Sequence, residues 1–157
     1  MTKYRMTEET TKVYNTTLYR IKAVKDFETI FGTVHTGDIG GFIQEEKNLA
    51  QDGNCWIFDD AKVYSGSVVK DNACIKDNAT VSNSAVVEKS AKMFNNSSAV
   101  NSKVTDNATL KDRAIVICKC VISDNVVIGD RAELEECKIG GSCKIGGDTS
   151  MEGAMIM

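Results

Sequence analysis

One histidine, six cysteines and several adjacent pairs of acids are the residues of this chain that could do chemistry. The histidine is His35, and a single histidine rules out a zinc site built from three histidine ligands. Cys118 and Cys120 have one residue between them, whereas zinc and redox motifs commonly have two. The cysteine spacing therefore predicts neither a metal site nor a disulfide framework.

The acid pairs and glycine pairs have ordinary structural explanations. Asp59-Asp60 and Glu135-Glu136 fall where the chain is expected to bend, so they are interpreted as solvated carboxylates. Gly140-Gly141 and Gly146-Gly147 lack the surrounding pattern of a phosphate-binding loop and are interpreted as turns. The sequence thus provides no catalytic, cofactor-binding or metal-binding residue, and we expect a protein that is not an enzyme and has no cofactor.

Length and charge limit the possible partners. The chain has 157 residues, enough for one domain with a small cap, and a formal net charge of -3 at pH 7. This acidic balance gives no general attraction to nucleic acid or anionic lipid, so neither is expected as a partner. No apolar run approaches the ~18 residues of a membrane span, and no signal-peptide core follows Met1. We expect a cytoplasmic protein, in a bacterial cell or an infected host cell.

A six-residue repeat must position all of these groups. From Ile57 onward an aliphatic residue returns every sixth position, and a small residue stands two places before most of them. The first unbroken run of aliphatic positions is Ile57, Val63, Val69, Ile75, Val81, Val87 and Met93. Ile43 and Leu49 extend the pattern upstream, and the frame loses one residue near Ala99 and another near Cys137. Bends or bulges are expected at those two slips.

Strand geometry explains the repeat. Residues two apart in a strand point the same way, so the aliphatic residue and the small residue before it both face inward. Cys55, Cys120, Cys137 and Cys143 occupy such small positions. The corners are rich in Asp and Asn, which tolerate the left-handed backbone of a tight bend. Short strands separated by bends wind into a coil, and each coil buries its interior only by stacking on the next.

The segments 69–74, 75–80 and 104–109 resemble the hexapeptide repeat of left-handed β-helices. Residues 1–5, 21–27 and Gly40-Gly41-Phe42 further resemble the YdcK-type β-helix proteins of bacteria and phages. These resemblances imply three hexapeptides per triangular coil and left-handed winding, but no mechanism. We therefore expect an all-β protein: a left-handed parallel β-helix over residues 43–157 with a small antiparallel cap over residues 1–42.

The N-terminal region is expected to cover the open end of the first coil. Alternation of polar and apolar residues over 3–6, 12–14 and 17–24 predicts two or three antiparallel strands. Asp26 is expected to cap one helical turn that runs to Phe31, and Gly40-Gly41 to form a turn.

Outward-facing residues form stacked rows when three repeats make one coil. One row contains Val68, Val86 and Val121, and Phe58 and Phe94 share a corner two coils apart. Another corner stacks carboxylates and is interrupted by Lys89. The valines reflect either strand propensity or a binding surface. We name the valine row and the two phenylalanines as candidate protein-binding residues.

The last residues of the chain are unusually apolar. Large apolar side chains stand at Met151, Met155, Ile156 and Met157. This segment forms a frayed tail, folds back over the last coil, or makes a surface for self-association or a partner. The four residues complete the set of candidate protein-binding positions.

We expect a non-enzymatic β-solenoid that binds a protein partner or self-associates into a homo-oligomer through a face or its C-terminal end. The phage relatives implied by the resemblance favour an accessory protein that inhibits a host-defence factor. An alternative is an acyltransferase-like enzyme, since the best-known enzymes with this repeat transfer acyl groups. Those enzymes usually use a histidine base in the coiled body, whereas His35 precedes the coils. A self-assembling structural subunit is the third possibility.

Overall fold

The inward-facing aliphatic and small residues wind the chain into six stacked coils of three short strands each. The computed structural model describes residues 2–157. The strands of the coils are β6 (Trp56–Ile57), β7 (Lys62–Val63), β8 (Val68–Val69), β9 (Cys74–Ile75), β10 (Thr80–Ser82), β11 (Val86–Val87), β12 (Lys92–Met93), β13 (Ser98–Val100), β14 (Lys103–Val104), β15 (Thr109–Leu110), β16 (Ile115–Ile117), β17 (Val121–Ile122), β18 (Val127–Ile128), β19 (Glu133–Glu135), β20 (Lys138–Ile139), β21 (Lys144–Ile145), β22 (Ser150–Glu152) and β23 (Met155–Ile156).

These strands form three parallel sheets, which are the walls of the solenoid. Wall 1 contains β6, β9, β12, β15, β18 and β21, and begins each coil. Wall 2 contains β7, β10, β13, β16, β19 and β22, and wall 3 contains β8, β11, β14, β17, β20 and β23. Aliphatic residues stand in register between coils, as Ile57 does with Ile75, and they are fully buried in coils 1 to 4. The all-β solenoid expected from the repeat is confirmed.

The corners differ in the number of left-handed residues they contain. Between walls 1 and 2, each corner has one residue with positive φ, an Asp in most coils. Between walls 2 and 3, corners in the full six-residue frame have two, as at Asn83 and Ser84. The shortened corners at Asn101 and Glu136 have one. Both frame slips noted in the sequence therefore fall between walls 2 and 3, where they shorten a turn.

An antiparallel hairpin continues wall 2 beyond the first coil. The strands β1 (Tyr4–Val13) and β2 (Thr16–Ala23) pair antiparallel, with a register shift between Met6 and Thr10. Next to β2 lies β5 (Ile39–Ile43), which also pairs in parallel with β7. The expected antiparallel strands are confirmed. A 3-10 helix, Glu46–Asn48, leads to Leu49, which bridges to Val69 on wall 3.

The hairpin closes the first coil with buried polar contacts as well as apolar ones. The Lys3 ammonium group donates a hydrogen bond of 2.7 Å to the carbonyl oxygen of Cys55, and the Tyr4 hydroxyl donates one of 2.6 Å to that of Leu49. Leu18 and Ile21 are completely buried. Carbonyls that would otherwise end the coil without a partner are thereby satisfied, which avoids the cost of burying them unpaired.

Two local expectations for this region are wrong. Residues 27–34 form a two-stranded antiparallel hairpin of β3 (Phe27–Thr29) and β4 (Gly32–Val34), not a helical turn capped by Asp26. Gly40-Gly41 lies within β5 and is not a turn. A Cβ atom on Gly41 would stand 2.5 Å from the carbonyl oxygen of Ala61, so close packing against the first coil requires glycine there.

No helix within residues 2–157 is long and apolar enough to cross a membrane.

Candidate functional site

The residues predicted from the sequence to bind partners lie on wall 3, at the corner that carries the two phenylalanines, and in the last coil. Val68 and Val86 pair in adjacent strands of wall 3, while Lys103 separates Val86 from Val121. All three valines are half-buried. They form a row on wall 3 that continues through Lys138 to Met155 of the C-terminal segment. Their role in binding stays a prediction.

An ion cluster borders the valine row. The carboxylate of Glu88 lies 2.9 Å from the Lys103 ammonium group and 3.3 Å from that of Lys70, and it accepts a hydrogen bond from Thr105. Burial alone would raise the pKa of Glu88, but hydrogen bonds and charge from both lysines outweigh it and hold this pKa below its ordinary value. These charges are already paired within the chain, so they stabilise the wall.

The corner that carries Phe58 and Phe94 is partly covered. Phe31, from the hairpin of residues 27–34, packs edge-on against both rings, with centroid distances of 5.9 Å and 6.3 Å. The Lys76 ammonium group lies 5.5 Å from the centre of the Phe31 ring. The aromatic edge seen in the sequence is therefore an intramolecular docking site for this hairpin.

The same hairpin buries two residues whose side chains leave the coil. Trp56 and Cys74 stand on the outer surface of wall 1, as the repeat requires, yet their exposed fractions are 1% and 0%. Phe27 packs against Trp56 with a ring distance of 5.3 Å. Burial raises the pKa of the Cys74 thiol to about 11. The six-residue repeat did not predict that the hairpin would cover these residues, because the repeat describes only the contacts between coils.

The C-terminal residues continue the coil. Met151 pairs with Leu134 on wall 2, and Ile156 pairs with Ile139 on wall 3. Met155 and Met157 are 72% and 79% exposed. The segment therefore does not fold back over the last coil. It keeps the regular strand pairing as far as residue 156.

Three of the cysteines behave as small inward residues. Cys55, Cys120 and Cys137 are buried, and the backbone N–H of Cys137 lies 3.2 Å from the Cys120 sulfur in the adjacent coil. Within residues 2–157, no group of three or more His, Cys, Asp or Glu side chains is placed to hold a metal ion.

A histidine–carboxylate pair lies at the base of the hairpin. The His35 Nδ1 atom is 3.8 Å from Asp26 Oδ2, and both side chains are about two-thirds exposed, at 67% and 66%. The other Asp26 oxygen accepts hydrogen bonds from the backbone N–H and hydroxyl of Thr36, which lower the pKa of Asp26. The backbone N–H of His35 donates to Asp38. The loop thus places an ionised carboxylate beside one imidazole nitrogen.

Such a pair can orient a general base. A distance of 3.8 Å exceeds a hydrogen bond, but catalytic contacts are often long in a free enzyme and shorten when substrate binds. The sequence singled out His35 but assigned Asp26 to a helix cap, so their proximity was missed. Reading residues 26–36 as a hairpin with its ends close together would have revealed it.

Together, the six coils, the period and the antiparallel end define an all-β parallel solenoid with a six-residue repeat. No protein-family model matches the chain. Among curated proteins it is similar to one from Escherichia coli (strain K12) named "Uncharacterized acetyltransferase YdcK", with 39% identity over 82 residues. The match covers 46% of this chain and 24% of that protein, so it spans about a quarter of the length of its curated relative.

This similarity overturns the functional expectation. A non-enzymatic accessory protein that inhibits a host factor was expected, but the similar protein is named as an acetyltransferase. That finding favours the acyltransferase alternative, and the expectation that the chain is not an enzyme is wrong on the same ground. The resemblance to YdcK-type β-helix proteins is confirmed, without support for a phage origin.

Proposed function

We propose that this chain acts in acyl transfer, moving an acetyl group from a thioester donor to a nucleophilic acceptor. The similarity to a protein named as an acetyltransferase carries the proposal. The repeat architecture is compatible with it, and the His35–Asp26 pair supplies a residue type that acyl transfer needs.

His35 would act as the general base. Histidine accepts a proton near neutral pH, and Asp26 beside Nδ1 orients the ring and leaves Nε2 for the acceptor. As the acceptor hydroxyl or amine loses its proton to Nε2, its lone pair forms the new bond to the acetyl carbon. The bond from carbon to sulfur breaks, and the thiolate leaves with the proton returned by the imidazolium. Asp26 is therefore a positioning residue and His35 a catalytic one.

A second surface is required to exclude water. Both members of the pair are two-thirds exposed, whereas acyl transfer competes with hydrolysis unless the site is closed. We propose that another copy of the chain supplies this surface, which keeps the predicted self-association as part of the proposed function. Sedimentation at increasing protein concentration measures it directly. A particle that remains a monomer throughout would contradict this part.

The test measures thiol release from acetyl-coenzyme A with a panel of small amines and alcohols as acceptors. We expect release above the buffer rate, and a loss of about 100-fold or more in kcat for His35→Gln. Asp26→Asn should lose less and shift the pH profile of kcat/KM. Glu28→Gln is the matched control, because Glu28 is an exposed carboxylate of the same hairpin and, within residues 2–157, accepts a hydrogen bond only from Thr33.

Two outcomes would contradict the proposal at different levels. Thiol release that is unaffected by His35→Gln would show that another residue is the base. No release with any acceptor, together with no change in melting temperature on adding acetyl-coenzyme A, would remove acyl transfer as the function of this chain.

A further inference from the structure

The outer face of wall 2 is the longest sheet surface within residues 2–157. The hairpin of β1 and β2 extends it, so nine strands lie side by side in the order β1, β2, β5, β7, β10, β13, β16, β19 and β22. The eight intervals between these strands, at about 4.8 Å each, make the face roughly 38 Å long. Its two ends and its middle carry side chains of different chemistry.

The upper end of this face, formed by β1 and β2, is basic. Arg5 and Lys22 are partners in the pairing of these strands, and they face away from the core because Lys22 stands between two buried residues. Together with Arg20 they line an open cavity of about 550 Å³, which Glu8 and Glu9 also line. Glu9 is already paired with Arg20. Two cations without an ion pair in residues 2–157, Arg5 and Lys22, therefore stand against one such carboxylate.

The lower end of the face is acidic. Glu133 and Glu135 point outward from β19, on either side of buried Leu134, and Glu152 of β22 pairs in register with Glu135. The three carboxylates line an open cavity of about 230 Å³, and no cation of residues 2–157 lines it with them. None of the three makes an ion pair in that part of the chain. Neighbouring carboxylates repel one another, so this end favours a cationic partner.

Small and aliphatic side chains occupy the middle of the face. The hydroxyls of Thr80 on β10 and Ser98 on β13 are 3.1 Å apart, and half-buried Ile115 and Ile117 point outward from β16. The strands β10, β13 and β16 contain no charged residue. Ile39, which pairs with Lys22 at the edge of the basic end, is 55% exposed. A centre without charges between charged ends is typical of a protein–protein interface.

We propose that wall 2 is the interface of a symmetric dimer, in which a second copy lies face to face with its solenoid axis reversed. A two-fold axis beside β10, the fifth of the nine strands, places β1 against β22, β2 against β19 and β5 against β16 of the partner. Arg5 and Lys22 then meet the unpaired carboxylates, and Ile39 meets the isoleucines of β16. Sheets that pack face to face are about 10 Å apart, which these long side chains span.

Charge complementarity selects this orientation over the alternative. A dimer with parallel axes would place the carboxylates of β19 against themselves, and like charges in contact oppose association. The face is narrow because most of its strands contain two or three residues, so we expect a dissociation constant in the micromolar range.

The dimer would also bring the partner's last coils towards His35. The loop of residues 35–38 is hydrogen-bonded to Ala23 at the end of β2, and β2 lies opposite β19 of the partner in this arrangement. The second copy thereby supplies the surface that the proposed acyl transfer requires. The dimer proposal itself rests on the residues of wall 2 and not on that activity.

Sedimentation velocity of the whole chain, from micromolar to millimolar concentration, tests the proposal by charge reversal. Lys22→Glu and Glu133→Lys each put like charges into both symmetry-related contacts, and each should raise the dissociation constant at least about tenfold. An equimolar mixture of the two variants should dimerise as the wild type does, because every reversed position then faces an opposite charge again. Lys138→Glu and Glu28→Lys make the same changes at exposed positions outside wall 2 and should leave the dimer unchanged. Circular dichroism verifies that each variant is folded.

Three results would overturn the proposal. A wild-type chain that stays monomeric at every concentration would remove the interface. Single variants that dimerise as the wild type does would place the contact on another face. A mixture that remains monomeric would show that Lys22 and Glu133 do not meet across a two-fold axis. Because no acyl donor is used, thiol release from acetyl-coenzyme A remains a separate test of the activity.

Discussion

The upper and lower halves of wall 1 share one repeat and one backbone geometry, but they present different surfaces. In coils 1 and 2 the outward residues are Trp56 and Cys74, which the hairpin of residues 27–34 buries. In coils 5 and 6 the same position holds half-buried Val127 and exposed Lys144. The coil itself does not determine whether its outer surface is core or solvent. A segment from outside the repeat makes that difference.

This contrast predicts where substitutions destabilise the fold. Upper-half side chains are engaged within the chain, through aromatic contacts of the hairpin and ion pairs such as Glu88 with Lys103. Substitutions should therefore reduce the free energy of unfolding more in the upper half than in the lower half.

The largest effect is expected for Trp56→Ala. Trp56 is 1% exposed and packs against Tyr4 and Phe27, so its removal should lower the free energy of unfolding by about 4 kcal/mol. Val127→Ala, at the equivalent position of coil 5, should cost less than about 1 kcal/mol because it is half-exposed. Urea unfolding followed by circular dichroism measures both. Similar losses in the two variants would contradict the distinction between halves.

A smaller loss is expected for Asp77→Ala. Asp77 has a φ of 59°, and its carboxylate accepts a hydrogen bond of 2.9 Å from the N–H of Asn95 in the next coil. Alanine loses that bond and strains the left-handed backbone, for a total of about 2 kcal/mol. Asp77→Asn should be nearly neutral, since Asn95 fills the same role naturally.

Two further variants at these corners separate the causes. Asp77→Gly removes the strain and keeps the loss of the hydrogen bond, so it should fall between Asn and Ala. Asp130→Ala removes the equivalent bond to Gly147 in the last coil, where local opening is easier, and should cost less than Asp77→Ala. If Asp130→Ala cost as much, the lower half would be as cooperative as the upper.

The sequence predicted what the period controls. Ile57 and Ile75 had to face inward and stack, because residues two apart in a strand share a face and an isolated coil cannot bury its own interior. The two frame slips also predicted the shortened corners, because each slip removes one residue between two inward-facing positions. Even the rows of outward residues, such as Val68 above Val86, follow from counting three repeats per coil.

Contacts made by non-repeating segments were not predictable in this way. Trp56 and Cys74 occupy outward positions, and only the docked hairpin makes them core. The hairpin was mistaken for a helical turn because Asp26 suits a helix cap and its real partner, Thr36, lies ten residues away. The same error concealed the neighbour of His35. A candidate site built from one loop depends on that loop's pairing, which short apolar segments do not specify by themselves.

Loosening the hairpin should make the upper half of wall 1 resemble the lower. Phe31→Ala removes the ring contacts with Phe58 and Phe94, which should cost about 1 kcal/mol because Phe31 itself is 37% exposed. The sharper readout is the Cys74 thiol, which should react severalfold faster with an alkylating reagent once the cover opens. Mass spectrometry of alkylated peptides measures this. Cys120, buried in the coil interior, serves as the internal control; equal acceleration there would indicate general unfolding instead.

The smallest effect concerns pH and the paired charges of wall 3. The pKa of Glu88 in the folded chain lies below its ordinary value, so folding favours the ionised carboxylate. The ionised Glu88 carboxylate stabilises the fold at any pH above its pKa of about 4.3 in the unfolded chain. This stabilisation is lost as the pH falls through the pKa that Glu88 has in the folded chain.

Glu88→Gln should therefore cost about 0.5 kcal/mol at pH 7, since both lysine partners are half-exposed and their charges are screened. The difference from wild type should vanish in acid. Exposed Glu133 in coil 5 has no cation partner within residues 2–157, and Glu133→Gln should change stability less at every pH. Because the paired charges of the upper half stabilise only while Glu88 is ionised, parallel urea titrations at pH 7 and pH 3.5 distinguish an ion-pair contribution from a packing one. A loss that persisted unchanged at the lower pH would assign the role of Glu88 to its contact with Thr105 and its buried methylene groups.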